Sequence, residues 1–292
     1  MHLLTYITDY ETTIKMAPVQ LEERVQQKEV LFHSYWNGPL NEKHLYSIQS
    51  CYYFNCFPKK EEERKEEKTR NKIILWLEND TSANPVYKKI EQYAEIRLFC
   101  LPDQLKESVF LENRHFRYNP AISFYSDLVR YLLLYNYGGC WFDLDCLFLR
   151  SFDPLFRRFG QEICVYQWEN QAYPNGAIYI SLEARSDKLK RAIELIVRRG
   201  QGWGFQEAKL TYNTDMDLLV LPCSWFDGGW IPNPYKISFQ HLFLPTHQRY
   251  DFTTFFPGAF CFHWHNKWNQ PIHATSIMQQ LMTAIQAGIS EV

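Results

Sequence analysis

The chain is short of several features that would narrow its class at once. None of its eight cysteines, Cys51, Cys56, Cys100, Cys140, Cys146, Cys164, Cys223 and Cys261, stands in a C-x-x-C pair. Several fall inside apolar stretches, where a free thiol behaves as a small hydrophobe, so the pattern speaks against a disulfide framework and for a reducing compartment. Charge of one sign is not in excess: 31 basic and 33 acidic residues leave a net charge of −2. A binder of phosphate backbones would show a basic surplus or a basic face, so nucleic acid is excluded as the expected partner. No stretch reaches the ~18 apolar residues of a membrane span. The opening MHLLTYITDYETTIK has neither the basic start nor the long apolar core of a signal peptide. These absences describe a soluble protein expected in the cytoplasm, and there is no internal repeat or low-complexity linker.

What is present is a large apolar core. Of 292 residues 46% are hydrophobic, with 19 Tyr, 21 Phe and 9 Trp. That suffices for one large domain, and the rings can stack on bases or sugars as well as fill a core. Residues 1–30 hold a polar piece, PVQLEERVQQKE, that reads as a short helix, and the run Lys59–Lys72 is so densely charged that it must be solvated. EVLFHSYW, KIILWLEN and IRLFCLP read as strands, with HLYSIQSCYYF and PVYKKIEQYA as the helices between them. The alternation predicts an α/β sheet covered by helices. EICVYQW, GAIYISL and LLVLP continue as strands, and DKLKRAIELIVRR and TSIMQQLMTAIQAG as helices.

The most informative stretch is Asn119–Gly139, a helix on which Ser123, Asp127 and Arg130 form one polar stripe before Gly138-Gly139 ends it. A strand CWFDLDCLFL follows immediately and carries Asp143 and Asp145 in an apolar run. Burying two neighbouring carboxylates costs several kcal/mol unless something positive compensates them. On an extended strand, residues two apart share a side, which would suit a divalent cation completed by a diphosphate.

SFYSDLVRYLLLYNYGGCWFDLD resembles the S-D-x-x-R-Y…G-G-x-Y-x-D-x-D signature of GT-A glycosyltransferases. It is most similar to the retaining family 32 group that contains α-1,4-galactosyltransferases and initiating mannosyltransferases, and to the large clostridial glucosylating toxins. FHSYWNG resembles the first-strand segment of these enzymes and FHWHNKW their C-terminal loop over the diphosphate. The resemblance implies a single GT-A domain over 1–292: a Rossmann-like mixed central sheet flanked by helices, with an irregular acceptor region. Within it 1–30 is the N-terminal helical segment, 31–155 the nucleotide-sugar half, and 156–292 the acceptor half with the metal-closing loop.

Site roles carried over by the resemblance are expectations. A UDP-sugar donor would lie against His33, Trp36, Ser126, Asp127, Arg130, Asp143 and Trp268, with Trp36 stacking on the base. Mn²⁺ or Mg²⁺ would be held by Asp143, Asp145, His263 and Asn266, His265 being the rival to His263. Catalysis would rest on Asp127, Arg130, Asp143, Asp145 and Asn175, with a glycan or other hydroxyl as acceptor. Asn175-Gly176 reads equally as a hairpin turn. Asp215–Asp217 is a second D-x-D in a polar setting, and the aromatics of WFDGGW, Trp225–Trp230, suit either an acceptor platform or the core. Trp141 stands where most relatives have Tyr, so any hydrogen bond from that hydroxyl must be replaced or dropped. Two rival readings are a sugar-binding module without activity and a D-x-D phosphohydrolase. The latter wants its motif on the first strand, whereas here it lies deep in the chain.

Overall fold

The structure is a computed structural model and describes residues 29–57, 71–107, 125–168, 174–199 and 218–290. The N-terminal helical segment, nearly all of the charged run Lys59–Lys72, Ser123 and Asp215–Asp217 lie outside the described residues. Alternating strands and helices appear in the expected order. They are β1 (Leu31–Trp36), α1 (Glu42–Cys51), β2 (Lys72–Leu77), α2 (Pro85–Ile90), β3 (Glu95–Leu98), α3 (Leu101–Glu107), α4 (Tyr125–Tyr137), β4 (Gly139–Phe142) and β5 (Cys146–Phe148). Then come α5 (Asp153–Phe159), β6 (Cys164–Gln167), β7 (Asn175–Ser181), α6 (Asp187–Arg199), β8 (Leu219–Pro222), β9 (Cys261–His263) and α7 (Ile277–Ser290).

Seven strands form one mixed sheet in the order β3-β2-β1-β4-β7-β6-β8, and β5 pairs with β9 in a separate ribbon. β1, β2, β3 and β4 run parallel, while β7 is antiparallel to both β4 and β6. The sheet draws strands from both 31–155 and 156–292. Its strands read as continuous apolar runs because helices cover both faces. Side chains alternate between two cores: Ile73, Leu75, Leu77, Cys140 and Phe142 on one face, Ile74, Trp76 and Trp141 on the other. α4 supplies the second core with Leu128, Val129, Leu132 and Leu133. On the first, α7 buries Ile277, Met278, Leu281, Met282 and Ile285, a helical stripe. Among the described residues no helix is long and apolar enough to cross a membrane.

Two glycines make the turn from α4 into β4 possible. Gly138 has φ 66° and Gly139 φ 112°, and a Cβ on Gly139 would overlap the carbonyl oxygen of Leu31 in β1. The sheet has its topological switch at β1 and β4, which are neighbours while the connections from them depart in opposite directions. In open α/β sheets the crevice outside the carboxyl ends of such strands is where ligands bind. Trp36 ends β1 and Asp143 follows β4 directly, so both stand on that edge.

The single strand expected over CWFDLDCLFL is corrected: β4 stops at Phe142, Asp143–Asp145 form a turn closed by Cys146 N–H donating to the Asp143 carbonyl (3.1 Å), and β5 belongs to the other ribbon. Period-two alternation therefore does not relate the two aspartates. His33, expected to lie against the donor, is enclosed in the core. It is fully buried, its Nδ1 accepts from Trp76 Nε1 at 3.2 Å and its Nε2 lies 3.1 Å from the Gly138 carbonyl. Both nitrogens are committed to holding β1 against β2 and against the glycine exit.

Burial lowers the His33 pKa to about 4. The unfolded chain takes up a proton near 6.5 whereas the folded one does so only near 4, so acidification across that window favours unfolding, by up to about 1.4 kcal/mol per pH unit. His33→Gln keeps a donor for Gly138 and removes the titration. Urea unfolding followed from pH 6.5 to 4.5 should show a shallower loss of stability in that variant than in the wild type; equal slopes would contradict the assignment.

Candidate active site

The site is assembled at the carboxyl edge from α4, the Asp143–Asp145 turn, the start of β7 and the loop after β9. On α4, Asp127 and Arg130 lie three residues apart and so share a face. Arg130 is 4% exposed, and its guanidinium donates from Nη1 to Asp127 Oδ1 (2.7 Å) and from Nη2 to Asp143 Oδ1 (3.1 Å). It also lies 5.2 Å from the centre of the Trp141 ring, over its face. Trp141 Nε1 donates to the same Asp143 oxygen at 2.6 Å. The indole N–H thus supplies a donor where a tyrosine hydroxyl would have stood. Desolvation raises the Asp127 pKa above its ordinary value, and Asp143 adds to this against the opposing charge of Arg130; a third of the side chain remains exposed, which limits the effect.

Gly176 is the residue the motifs did not reveal. Asn175-Gly176 opens strand β7 rather than turning a hairpin, with Asn175 Oδ1 accepting from Ala177 N–H (2.7 Å) and the Ala177 carbonyl accepting from Asp143 N–H (2.8 Å). A Cβ at Gly176 would overlap Arg130 Nη1. Only glycine leaves room for the guanidinium between β7 and the aspartates. The strand-alternation pattern hides this, because an Asn-Gly pair is indistinguishable from a turn signal until Arg130 is seen beside it.

Asp145 has a different set of partners. Its Oδ2 accepts from the Asn266 backbone N–H (2.7 Å) and lies 3.1 Å from His263 Nε2, while its carbonyl accepts from Trp264 N–H (2.9 Å). β5–β9 pairing sets this up, with Cys146 opposite His263. After β9 the chain bends in left-handed steps at His265 (φ 52°) and Asn266 (φ 56°), which wraps it around the carboxylate. The same bend sends the two histidines to different carboxylates. His263 meets Asp145, whereas His265 turns its Nε2 to Asp227 Oδ1 (2.9 Å), the two rings stacking 4.0 Å apart. Burial alone would push His263 down, but the Asp145 charge prevails and its pKa stands well above that of an ordinary imidazole. Desolvation opposes ionisation of Asp145 too, and the His263 charge outweighs it and holds the carboxyl low.

Trp36 and Trp268 come together at one side of the site. Trp36 Nε1 donates to the Pro39 carbonyl (3.2 Å) and its ring lies 4.9 Å from that of Trp268. His44, which caps α1 by accepting from Asn41 N–H (2.9 Å), packs against both rings, edge-on to Trp36 at 4.2 Å and stacked at 4.4 Å on Trp268. Lys43 donates to the Lys267 carbonyl and so ties α1 to the closing loop. Trp268 Nε1 donates to Asn266 Oδ1 at 3.1 Å. Asn266 therefore meets Asp145 through its backbone, with its side-chain oxygen already accepting one hydrogen bond. Ser126 sits half-buried beside Asp127 in the first turn of α4. Of the aromatics in Trp225–Trp230, Trp225 is core, while Trp230 is exposed and stacks at 4.8 Å on Trp168.

The donor chemistry fits a hard divalent cation. Carboxylate oxygens of Asp143 and Asp145, an imidazole nitrogen and an amide oxygen are ligands that Mn²⁺ or Mg²⁺ accepts. Adjacent corners of an octahedron with ~2.1 Å bonds are about 3 Å apart, the separation found between Asp145 Oδ2 and His263 Nε2 (3.1 Å). Both donors on Asp143 fall on Oδ1, so Oδ2 is the oxygen that could face a cation.

Residues 60–159 match the family model of the glycosyltransferase sugar-binding region containing DXD motif, about a third of the chain. No curated protein matches it in sequence. Among solved structures, the glycosyltransferase GlyE of Streptococcus pneumoniae TIGR4 is similar at a TM-score of 0.51 and 10% identity, over 91% of this chain and 63% of that one. The galactosyltransferase LgtC in complex with donor and acceptor sugar analogs gives 0.47 and 11% over 90% and 96%. The PaToxG glycosyltransferase gives 0.41 and 16% over 71% and 73%. The fold is the mixed α/β arrangement of GT-A glycosyltransferases, with a mostly parallel central sheet flanked by helices.

Gly176→Ala should cost about 1–3 kcal/mol of stability by forcing the guanidinium out of its place. Chemical denaturation measures this, and a variant as stable as the wild type would show that Arg130 is not confined by β7.

Proposed function

We propose that the chain is a divalent-metal-dependent retaining glycosyltransferase of family 32 type that moves a hexose from a UDP-sugar to a hydroxyl of a glycan acceptor. The observation that carries this reading is the pair of aspartates at the switch-point edge. Asp143 is held by Arg130 and Trp141, while Asp145 is held by His263 and the Asn266 backbone. In this reading 31–155 binds the nucleotide sugar and 156–292 the acceptor within one domain.

Asp143 Oδ2, Asp145 and His263 Nε2 would hold the cation, with Asn266 Oδ1 offering its second lone pair beside the bond from Trp268. When bound, the cation offsets the charge that develops on the departing diphosphate. Trp36, at the end of β1, offers its ring to the uracil. Asp127 accepts from donor-sugar hydroxyls while Arg130, paired with both Asp127 and Asp143, fixes their positions. Ser126 adds a hydroxyl beside them, and Trp268 can turn its indole N–H from Asn266 to a phosphate oxygen. Asn175 flanks the reacting carbon from β7. With none of the described residues placed as a covalent nucleophile, the acceptor hydroxyl in this reading attacks the face from which the diphosphate leaves, through an oxocarbenium-like state.

Calorimetry with UDP should show binding that needs Mn²⁺. Asp145→Asn should weaken it by more than about 100-fold, the upper end of what loss of an outer partner costs. Metal-independent UDP binding, or equal binding by the variant, would refute the reading. Separately, the coupling constant at the anomeric carbon of the product should report an α-glycoside from an α-linked donor, and a β-glycoside would exclude front-face transfer.

A further inference from the structure

Asp227 belongs to no motif, yet it is the most enclosed carboxylate in the site. It lies just beyond the short helical turn Cys223–Trp225 and is fully buried. Trp168 Nε1 donates to its Oδ2 at 2.8 Å and His265 Nε2 lies 2.9 Å from its Oδ1. The Tyr166 hydroxyl donates to Oδ2 at 3.4 Å, and His263 Nδ1 stands 3.7 Å from the same oxygen. A carboxylate without such donors would not remain ionised in this place.

Hydrogen counting gives the network a direction. The Tyr166 hydroxyl has one proton for two acceptors, and the ionised Asp227 carboxylate is the stronger of them, so it donates to Asp227. The Tyr166 oxygen then has only lone pairs for His263 Nδ1, 2.9 Å away, and Nδ1 must carry the hydrogen. A neutral His263 in this state has its free lone pair on Nε2, the nitrogen that faces Asp145. Metal-binding imidazoles are oriented in this manner by an outer carboxylate on the opposite nitrogen.

We propose that Asp227 is a positioning residue for the cation site, acting through the Tyr166 hydroxyl to hold His263 with its proton on Nδ1 and its Nε2 lone pair toward Asp145. The inference rests on the metal-dependent reading above. It adds a residue that the D-x-D signature does not contain, and it gives Tyr166 a task beyond its stacking on Phe226 at 5.5 Å. An opposing arrangement also exists in the geometry. One ligand atom each from Asp227, His263 and His265 lie within 4.8 Å of one another and could hold a cation themselves. Against this, His263 turns its Nε2 to Asp145 and His265 turns its Nε2 to Asp227, so the two rings serve different carboxylates.

The test is titration of the UDP-bound protein with Mn²⁺, read by the electron paramagnetic resonance of free ion. Asp227→Asn and Tyr166→Phe should each weaken Mn²⁺ binding by about 10–100-fold. The tyrosine variant loses only a hydroxyl, so it serves if Asp227→Asn does not fold. Trp168→Phe removes a hydrogen bond from the same Asp227 oxygen but lies off the route to His263, and should change the affinity by no more than about threefold. In the Mg²⁺-loaded protein, ring ¹⁵N shifts of His263 should show the proton on Nδ1. Wild-type binding of Mn²⁺ with unchanged affinity in both Asp227→Asn and Tyr166→Phe would overturn this inference alone. So would a loss in Trp168→Phe equal to that in Tyr166→Phe, which would make Asp227 a packing element. If His265→Gln abolished Mn²⁺ binding as fully as His263→Gln, the three-residue cation site would replace the positioning role. A wild type that binds no Mn²⁺ with UDP would remove the metal-dependent reading itself, and this inference with it.

Discussion

The constraint on which the site depends is that Asp143 and Asp145, two carboxylates one residue apart, stand at the edge of an apolar sheet, Asp145 buried and Asp143 a third exposed. The chain answers with separate partners. Asp143 receives Arg130 from α4 and the indole N–H of Trp141, while Asp145 receives His263 from β9 and the Asn266 backbone. Placing the pair in a turn between two strands of different sheets, rather than along one strand, is what lets each carboxylate face a different set of donors.

Much of the surrounding architecture follows from that arrangement. Gly176 has no side chain because Arg130 occupies the space. Gly138 and Gly139 let α4 reverse into β4 within two residues, so that Asp127 and Arg130 arrive beside the turn. His265 and Asn266 adopt left-handed backbone, a cost of roughly 1–2 kcal/mol for an ordinary residue. In return the loop delivers the Asn266 N–H to Asp145 and sends His265 to the Asp227 carboxylate. Asp227 is held low, to about 2: complete desolvation opposes its ionisation, and the hydrogen bond from His265 together with the nearby His263 imidazole outweighs it. The site is therefore a chain of alternating acidic and basic groups, Asp127–Arg130–Asp143 on one side and Asp145–His263–Asp227–His265 on the other.

Most elements were legible because their signals are local. Apolar runs bounded by turn residues marked β1, β2, β6, β7 and β8, and the 3.6-residue stripe marked α4 and α7. The D-x-D stretch misled for a physical reason: CWFDLDCLFL is apolar throughout, and nothing in its pattern separates one long strand from two short ones joined by a buried turn. The partners of His33 were not legible, since Trp76 and Gly138 lie far from it in the chain. Asp227 gave no local signal, since its donors, Tyr166, Trp168, His263 and His265, come from two segments distant from it in the chain.

Sequence alone determined the mixed α/β class, most of the strands and helices, and the shared face of Asp127 and Arg130, because period and helical spacing act over a few residues. Tertiary structure decided that CWFDLDCLFL divides between two sheets, which histidine meets Asp145, and why residue 176 is glycine. Each of these depends on contacts between atoms far apart along the chain, which exist only once β4 is seated between β1 and β7 and β9 has closed on β5.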